Sequence, residues 1–244
     1  MYGPHFSAGF LCRRITYLEE QLKQLPTGCI HMRNNFQYVK IKYPQSSYIE
    51  KSIHSPEGRK YSYLIVKRRK IINELNFFKS VYDKHYHGLA IIPQPEIIRY
   101  SPIPESLTLD YYENPPELIN PHKIETPYVA SDKTLRSRFE LIATETLNEL
   151  GLEFKNEMPI ITPTGTYFMD IVIPVYERGR CVGFEFCGKA EDQNYVNRLN
   201  IKTLSYTSAG IIPNRDVIFI YGGEKWLPSV DHLKSAIIFG VENC

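Results

Sequence analysis

The chain has 244 residues, 43% hydrophobic and 23% charged, with a formal net charge of +2. This length and balance allow one large domain or two ordinary ones with a sizeable core, and exclude a disordered or collagen-like chain. The small total is a cancellation. Residues 1–93 hold 15 basic against 6 acidic residues, residues 94–132 hold 2 against 7, and residues 133–244 hold 12 against 14. A surplus of cations at one end predicts an anionic partner there. Five cysteines without a C-x-x-C pair indicate neither a disulfide framework nor a zinc ribbon. No stretch approaches the ~18 apolar residues of a membrane span, and Met1 to Arg14 has no signal-peptide pattern. The expectation is a cytoplasmic protein that makes no membrane contact.

Residues 1–93 read as a small, basic α+β region. Leu11, Ile15, Leu18, Leu22 and Leu25 follow a 4-3-4-3 spacing, which predicts a helix from Ser7 to Leu25 that Pro26 and Gly28 stop. Its narrow apolar stripe suits docking on its own domain or on a second copy, giving a homodimer through the N-terminal helix. Strands at Cys29–Met32 and Phe36–Tyr43 flank Asn34-Asn35, a pair that tolerates the positive φ of a tight hairpin. A second helix is predicted from Tyr61 to Tyr86 by Leu64, Ile71, Leu75, Phe78 and Tyr82, and Lys67, Arg68, Arg69 and Lys70 lie within it. A basic helix beside a basic hairpin is a candidate nucleic-acid-binding surface, a solvated charged face being the alternative. Residues 94–130 form an acidic linker or extended strap. Seven prolines between 94 and 132 (Pro95, Pro102, Pro104, Pro115, Pro116, Pro121 and Pro127) are expected to prevent regular helix and central strand there.

Residues 131–244 read as a C-terminal domain. Ser131 or Asp132 is expected to cap a helix bearing Leu135, Phe139, Ala143, Leu147 and Leu150 on one face, closed by Gly151. Strands follow at about 153–161, 167–175 and 180–187, then a helix at 194–209 ended by Gly210, a strand at 217–221, and a final helix from Ser229 to about Phe239. Asp170 and Glu185 interrupt two of the apolar strands. A buried carboxylate needs a partner. On antiparallel neighbours these two could meet on one sheet face, with Glu140 of the preceding helix approaching. They would then need either a hard divalent cation, Mg²⁺ or Mn²⁺, or pairing with arginines such as Arg138 and Arg198.

Ser137-Arg138-Phe139-Glu140 on a helix, Met169-Asp170-Ile171 on a central strand and Phe184-Glu185-Phe186-Cys187-Gly188 on the next resemble the PD-(D/E)XK nuclease superfamily. The resemblance is closest to uncharacterised bacterial members with a basic helical N-terminal extension. It covers about residues 131–222. It implies an α/β fold, a restriction-endonuclease-like core with a central mixed β-sheet flanked by helices, and Mg²⁺-dependent hydrolysis of DNA phosphodiester bonds. Asp170 and Glu185 would be the metal ligands, with Glu140 supporting them, and Glu157 matches a further acidic position of those relatives. Cys187 occupies the slot of the family's catalytic lysine, for which Lys189 and Lys202 are the candidate replacements. Tyr195, Arg198 and Lys202 share a helical face that could contact a nucleic-acid backbone. Loss of the motif lysine leaves open a catalytically inactive nucleic-acid-binding or regulatory protein.

Overall fold

The computed structural model describes residues 6–43, 47–87, 102–121, 128–130, 133–223 and 225–244. The chain divides into two compact units, Met1–Pro95 and Glu96–Cys244.

In the first unit, helix α1 (Ala8–Gln24) begins where the Ser7 hydroxyl accepts the Phe10 N–H. Phe10, Leu11, Ile15 and Leu18 of this helix are buried. They pack against α2 (Pro56–Tyr86), whose Phe78 meets Phe6 and Phe10 edge-on and whose Glu74 pairs with the buried Arg14. The central part of the leucine stripe is therefore covered within its own unit. Strands β1 (Thr27–Arg33) and β2 (Phe36–Lys42) join through Asn34 and Asn35 at φ 51° and 63°, the geometry that a two-residue hairpin of the right-handed twist requires. A third strand, β3 (Ile49–Ser52), pairs with the far edge of β2. Its sequence, Ile-Glu-Lys-Ser, carries almost no apolar alternation, and so gave no signal.

The second unit is built on a four-stranded sheet in the order β6 (Lys155–Thr162), β7 (Gly165–Val175), β8 (Arg180–Cys187), β9 (Val217–Tyr221). The first three strands are antiparallel, and β9 is parallel to β8, reached through helix α5 (Gln193–Ser208). The sheet is thus mixed, as expected. On one face, Tyr206 and Ile211 pack with Met158, Ile160, Met169 and Val172. The proline-rich segment joins this core: a 3-10 turn at Glu105–Leu107 and the short helix α3 (Leu109–Glu113) bury Leu107 and Tyr112 in it. On the other face, α4 (Arg138–Glu149) sets Phe139 against Phe186, with ring centroids 5.0 Å apart, and α6 (Val230–Asn243) lays Gly240 against Phe184 and Ile218.

A two-stranded hairpin, β4 (Tyr128–Ala130) and β5 (Lys133–Leu135), precedes α4. Ser131 and Asp132, expected as caps, lie outside the described residues. Helix α4 starts later, at Ser137, because Ser137 and Glu140 form a capping box: the Ser137 hydroxyl accepts the Glu140 N–H at 3.1 Å. Leu135 consequently belongs to a strand. At the other end Gly151 adopts φ 67° and the Leu152 N–H returns to the Leu147 carbonyl, closing the helix in the left-handed way. Among the described residues, no helix is long and apolar enough to cross a membrane.

One charged cluster is purely internal. Arg180 at the start of β8 is 2% exposed and pairs with Asp216, which is 0% exposed and also accepts from Arg215 and from the Ile212 N–H at 2.9 Å. Burial alone would raise the Asp216 carboxyl, but hydrogen bonds from Arg215, Ile212 and Arg180 hold it below the usual carboxylate range. Replacing it strands a buried guanidinium. Asp216→Asn is expected to lower the unfolding free energy at pH 7 by ~3–5 kcal/mol in urea titrations. Because the folded pKa lies below the unfolded value of about 3.9, this stabilisation is complete above that value and is lost as pH falls through the folded pKa. The gap between the parent and the variant should therefore close in acid.

Candidate active site

Asp170 sits where the sheet opens. The β7–β8 ladder runs from Val175–Arg180 to Ile171–Phe184 and stops there. The next N–H on β8, that of Phe186, donates to the Asp170 side chain at 2.7 Å instead of to the backbone of β7. On the other side, β6 and β7 register at Asn156–Ile171 and Met158–Met169, which sets Glu157 opposite Asp170 with a left-handed φ of 49°. Both neighbours thus leave the β7 backbone at Asp170 out of the regular ladder. Packing below is close: a Cβ on Gly183 would overlap the Met169 sulfur, so a larger residue at that point of β8 would have to displace the Met169 side chain.

Glu185, two residues beyond Gly183, shares its sheet face by the period of two. It is 3% exposed. Lys202 Nζ donates to Glu185 Oε2 at 2.6 Å and to the Phe168 carbonyl at 3.0 Å, and the Tyr206 hydroxyl donates to Glu185 Oε1 at 2.5 Å. Lys202 and Tyr206 lie one turn apart on α5, so a single helical face delivers both donors. The Asp170 carboxyl is close enough to act electrostatically on both Glu185 and Lys202.

The electrostatics follow from desolvation. Burial and the neighbouring Asp170 push the Glu185 carboxyl up to about 8, against the pull of Lys202 and Tyr206. Burial also raises Asp170, although Lys202, the Phe186 N–H and Glu185 act in the opposite direction. Lys202 keeps its proton: burial disfavours the ammonium, but Glu185 and Asp170 outweigh it and raise its pKa. The cheapest charge state is one proton shared by the two carboxyls, with the remaining negative charge balanced by Lys202.

Glu140 is raised by burial and then by Asp170, so it feels the same field. Its oxygens are engaged at the start of α4, accepting from the Ser137 hydroxyl at 2.9 Å and the Arg136 N–H at 3.1 Å. The Glu157 carboxylate is held by Arg136 and by Asn120 Nδ2. Of the two candidate lysines, Lys202 reaches the carboxyls, while Lys189 is exposed in the turn after β8. Arg138 and Arg198 are also exposed, and Glu185 pairs with a lysine and not with either of them. Tyr195 is partly buried and interacts with Cys187, whereas Arg198 is exposed, so the expected Tyr195–Arg198–Lys202 stripe divides into inward and outward members. Burial lifts the Cys187 thiol to about 12, which leaves it without nucleophilic character near neutral pH. In the first unit, Lys67, Arg69 and Lys70 are exposed, whereas Arg68 donates to the Leu22 and Leu25 carbonyls at 2.8 and 3.1 Å and closes the end of α1.

Compared with known protein families, curated proteins and solved structures, the chain matches none. Among the described residues, no three His, Cys, Asp or Glu side chains form a group that could hold a metal ion by themselves. What converges is a carboxyl pair, one ammonium and one phenol. Tyr206 and Arg136 were missed from sequence. The i, i+4 relation of Tyr206 to Lys202 was the available signal for the first, and nothing local marks the second.

Lys202 and Glu185 should be strongly coupled. Lys202→Met is expected to cost ~3 kcal/mol of stability, because it leaves a buried acidic pair without its cation. Lys202→Met combined with Glu185→Gln should recover more than half of that loss, as read from a double-mutant cycle of denaturant unfolding.

Proposed function

We propose that the second unit is a Mg²⁺-dependent nuclease that hydrolyses DNA phosphodiester bonds, on a restriction-endonuclease-like core of the PD-(D/E)XK type. The observation that carries this reading is the meeting of Asp170, Glu185 and Lys202 at the point where β7 and β8 part. Two desolvated carboxyls, both raised by burial and Glu185 raised further by Asp170, are a donor set that a hard cation relieves. Mg²⁺ is ordinarily held by one or two carboxylates, with waters and substrate phosphate completing its shell. Asp170 and Glu185 would hold Mg²⁺ or Mn²⁺, which when bound polarises a phosphoryl oxygen and acidifies a water.

The chain's own residues supply the rest. Lys202 carries the positive charge that Cys187 cannot, and brings it to the carboxyls from helix α5 instead of from β8. At a scissile phosphate that ammonium offsets developing negative charge. Tyr206 fixes the Glu185 rotamer through its hydroxyl. The capping role of Glu140 keeps a third carboxylate behind Asp170 and sharpens the need for a cation. The exposed Lys67, Arg69 and Lys70 of the basic first unit are the proposed phosphate contacts, in a protein working in the cytoplasm.

The test is cleavage of plasmid and linear DNA with Mg²⁺ or Mn²⁺ and with chelator. Asp170→Asn, Glu185→Gln and Lys202→Met are each expected to lower the rate by roughly 10²–10³-fold or more, with DNA affinity in chelator little changed. Variants at Asp170 and Glu185 that cut as well as the parent would overturn the assignment. Parent protein that binds DNA in a salt-sensitive way but never cuts would establish a binding role in its place. Replacing Lys67, Arg69 and Lys70 together by alanine should reduce the slope of log affinity against log salt by up to about 2.7. Arg68→Ala should leave that slope alone and lower stability.

A further inference from the structure

The turns that follow β8 and β9 are tied into one corner of the sheet. The Gly222 N–H donates to the Cys187 carbonyl at 2.8 Å, the Ala190 N–H to the Gly222 carbonyl at 3.2 Å, and the Gly223 N–H to the Trp226 carbonyl at 2.8 Å. The indole N–H of Trp226 donates to Glu191 Oε1 at 2.7 Å. Gly223 makes room for this bond, since a Cβ there would overlap both the indole nitrogen and the Glu191 carboxylate. The indole has spent its one polar atom and is fixed in orientation, yet Trp226 is 50% exposed. An immobilised, accessible ring is a stacking surface.

Beside it lies a cavity of about 510 Å³, walled by Phe219, Tyr221, Trp226, Pro228, Ser229 and His232. Tyr221 is also 50% exposed. The cavity borders β9, the strand next to the one that carries Glu185: Phe219 registers against Glu185 and Tyr221 against Cys187, and neighbouring strands are about 4.8 Å apart. Lys189 and Lys225, exposed in the same two turns, offer cations to a phosphate backbone passing between cavity and carboxyls. A flat aromatic ring on a phosphate chain satisfies both features. Bases inside a duplex are stacked on their own neighbours and cannot reach such walls, whereas unpaired bases can.

We propose that this cavity binds an unpaired nucleobase by stacking on Trp226 and Tyr221, so that the adjoining site takes single-stranded or locally unpaired nucleic acid. The proposal rests on the nuclease reading for its substrate class, but it is tested by binding alone.

Trp226 is the chain's single tryptophan, so its fluorescence reports on this corner. The full chain is titrated in chelator with an oligothymidylate and with a duplex of equal length. Saturable quenching by the single strand is expected, with at least tenfold weaker binding of the duplex. Trp226→Ala, followed by anisotropy of a labelled oligothymidylate, should weaken binding about 5- to 150-fold. Trp226→Phe should retain most of the affinity, and Tyr221→Ala on the facing wall should lose part of it. Absent quenching, or duplex binding as tight as single-strand binding and indifferent to both alanine variants, would overturn the proposal. The two readings fail separately. Quenching with cleavage that ignores Asp170→Asn removes the nuclease assignment alone, and Asp170-dependent cutting of duplex with a silent Trp226 removes the base pocket alone.

Discussion

The contact between Glu185 and Lys202 is the constraint around which the second unit is arranged. A carboxylate on the covered face of a sheet costs several kcal/mol unless charge and hydrogen bonds answer it, and Asp170 beside Glu185 doubles the problem. The answer is assembled from separate elements: an ammonium and a phenol from α5, a strand N–H from Phe186, and a gap in the β7–β8 ladder that lets the Asp170 side chain act as a backbone acceptor. Each part fixes a degree of freedom. Lys202 and Tyr206 pin the rotation of α5 against the sheet, and the glycine at 183 lets Met169 fill the space beneath.

Strand β8 carries two buried charges with opposite outcomes. Arg180 at its start meets Asp216, whose carboxyl is pulled below the ordinary range by a full complement of donors. Glu185 near its end is pushed above that range although it has two donors, because it is buried and a second carboxyl adjoins it. The first cluster is closed, with its one buried carboxylate answered by two guanidiniums. The second balances only by keeping a proton. Burial and a like charge act on it where the β7–β8 ladder has ended. The same end of the sheet carries the immobilised Trp226, so the two features that invite a ligand are neighbours on β8 and β9.

What could be read from the chain was what neighbours in sequence decide. Asn34-Asn35, Gly151, Gly179 and Gly210 all adopt the positive φ their turns need, and strands β8 and β9 fall where alternation and apolar runs place them. Asp170 and Glu185 stood out because each breaks an apolar strand. The failures share a different cause. Strand β3 has a polar tetrapeptide and exists because β2 offers an edge. Leu135 kept helical spacing with Phe139 by accident, and the capping box three residues nearer to Glu140 overrode it. Arg68 looked like part of a solvated basic run, but it answers carbonyls more than forty residues away. No local pattern encodes such a partner.

The position of the lysine is the step that joins fold to chemistry. A side chain at 187 points to the same sheet face as Glu185, so a lysine there would enter the pocket that Lys202 already fills. A second ammonium there would favour both carboxyls ionised in place of a pair that keeps a proton. With a small, buried cysteine at 187, Tyr195 can pack against the thiol and α5 can lie close enough for Lys202 to reach Glu185. The cation at the carboxyl pair is thus supplied by the helix, which also covers Cys187 on the strand. On the nuclease reading, the loss of the strand lysine is then a relocation of charge, and the number of cations at the carboxyl pair stays at one.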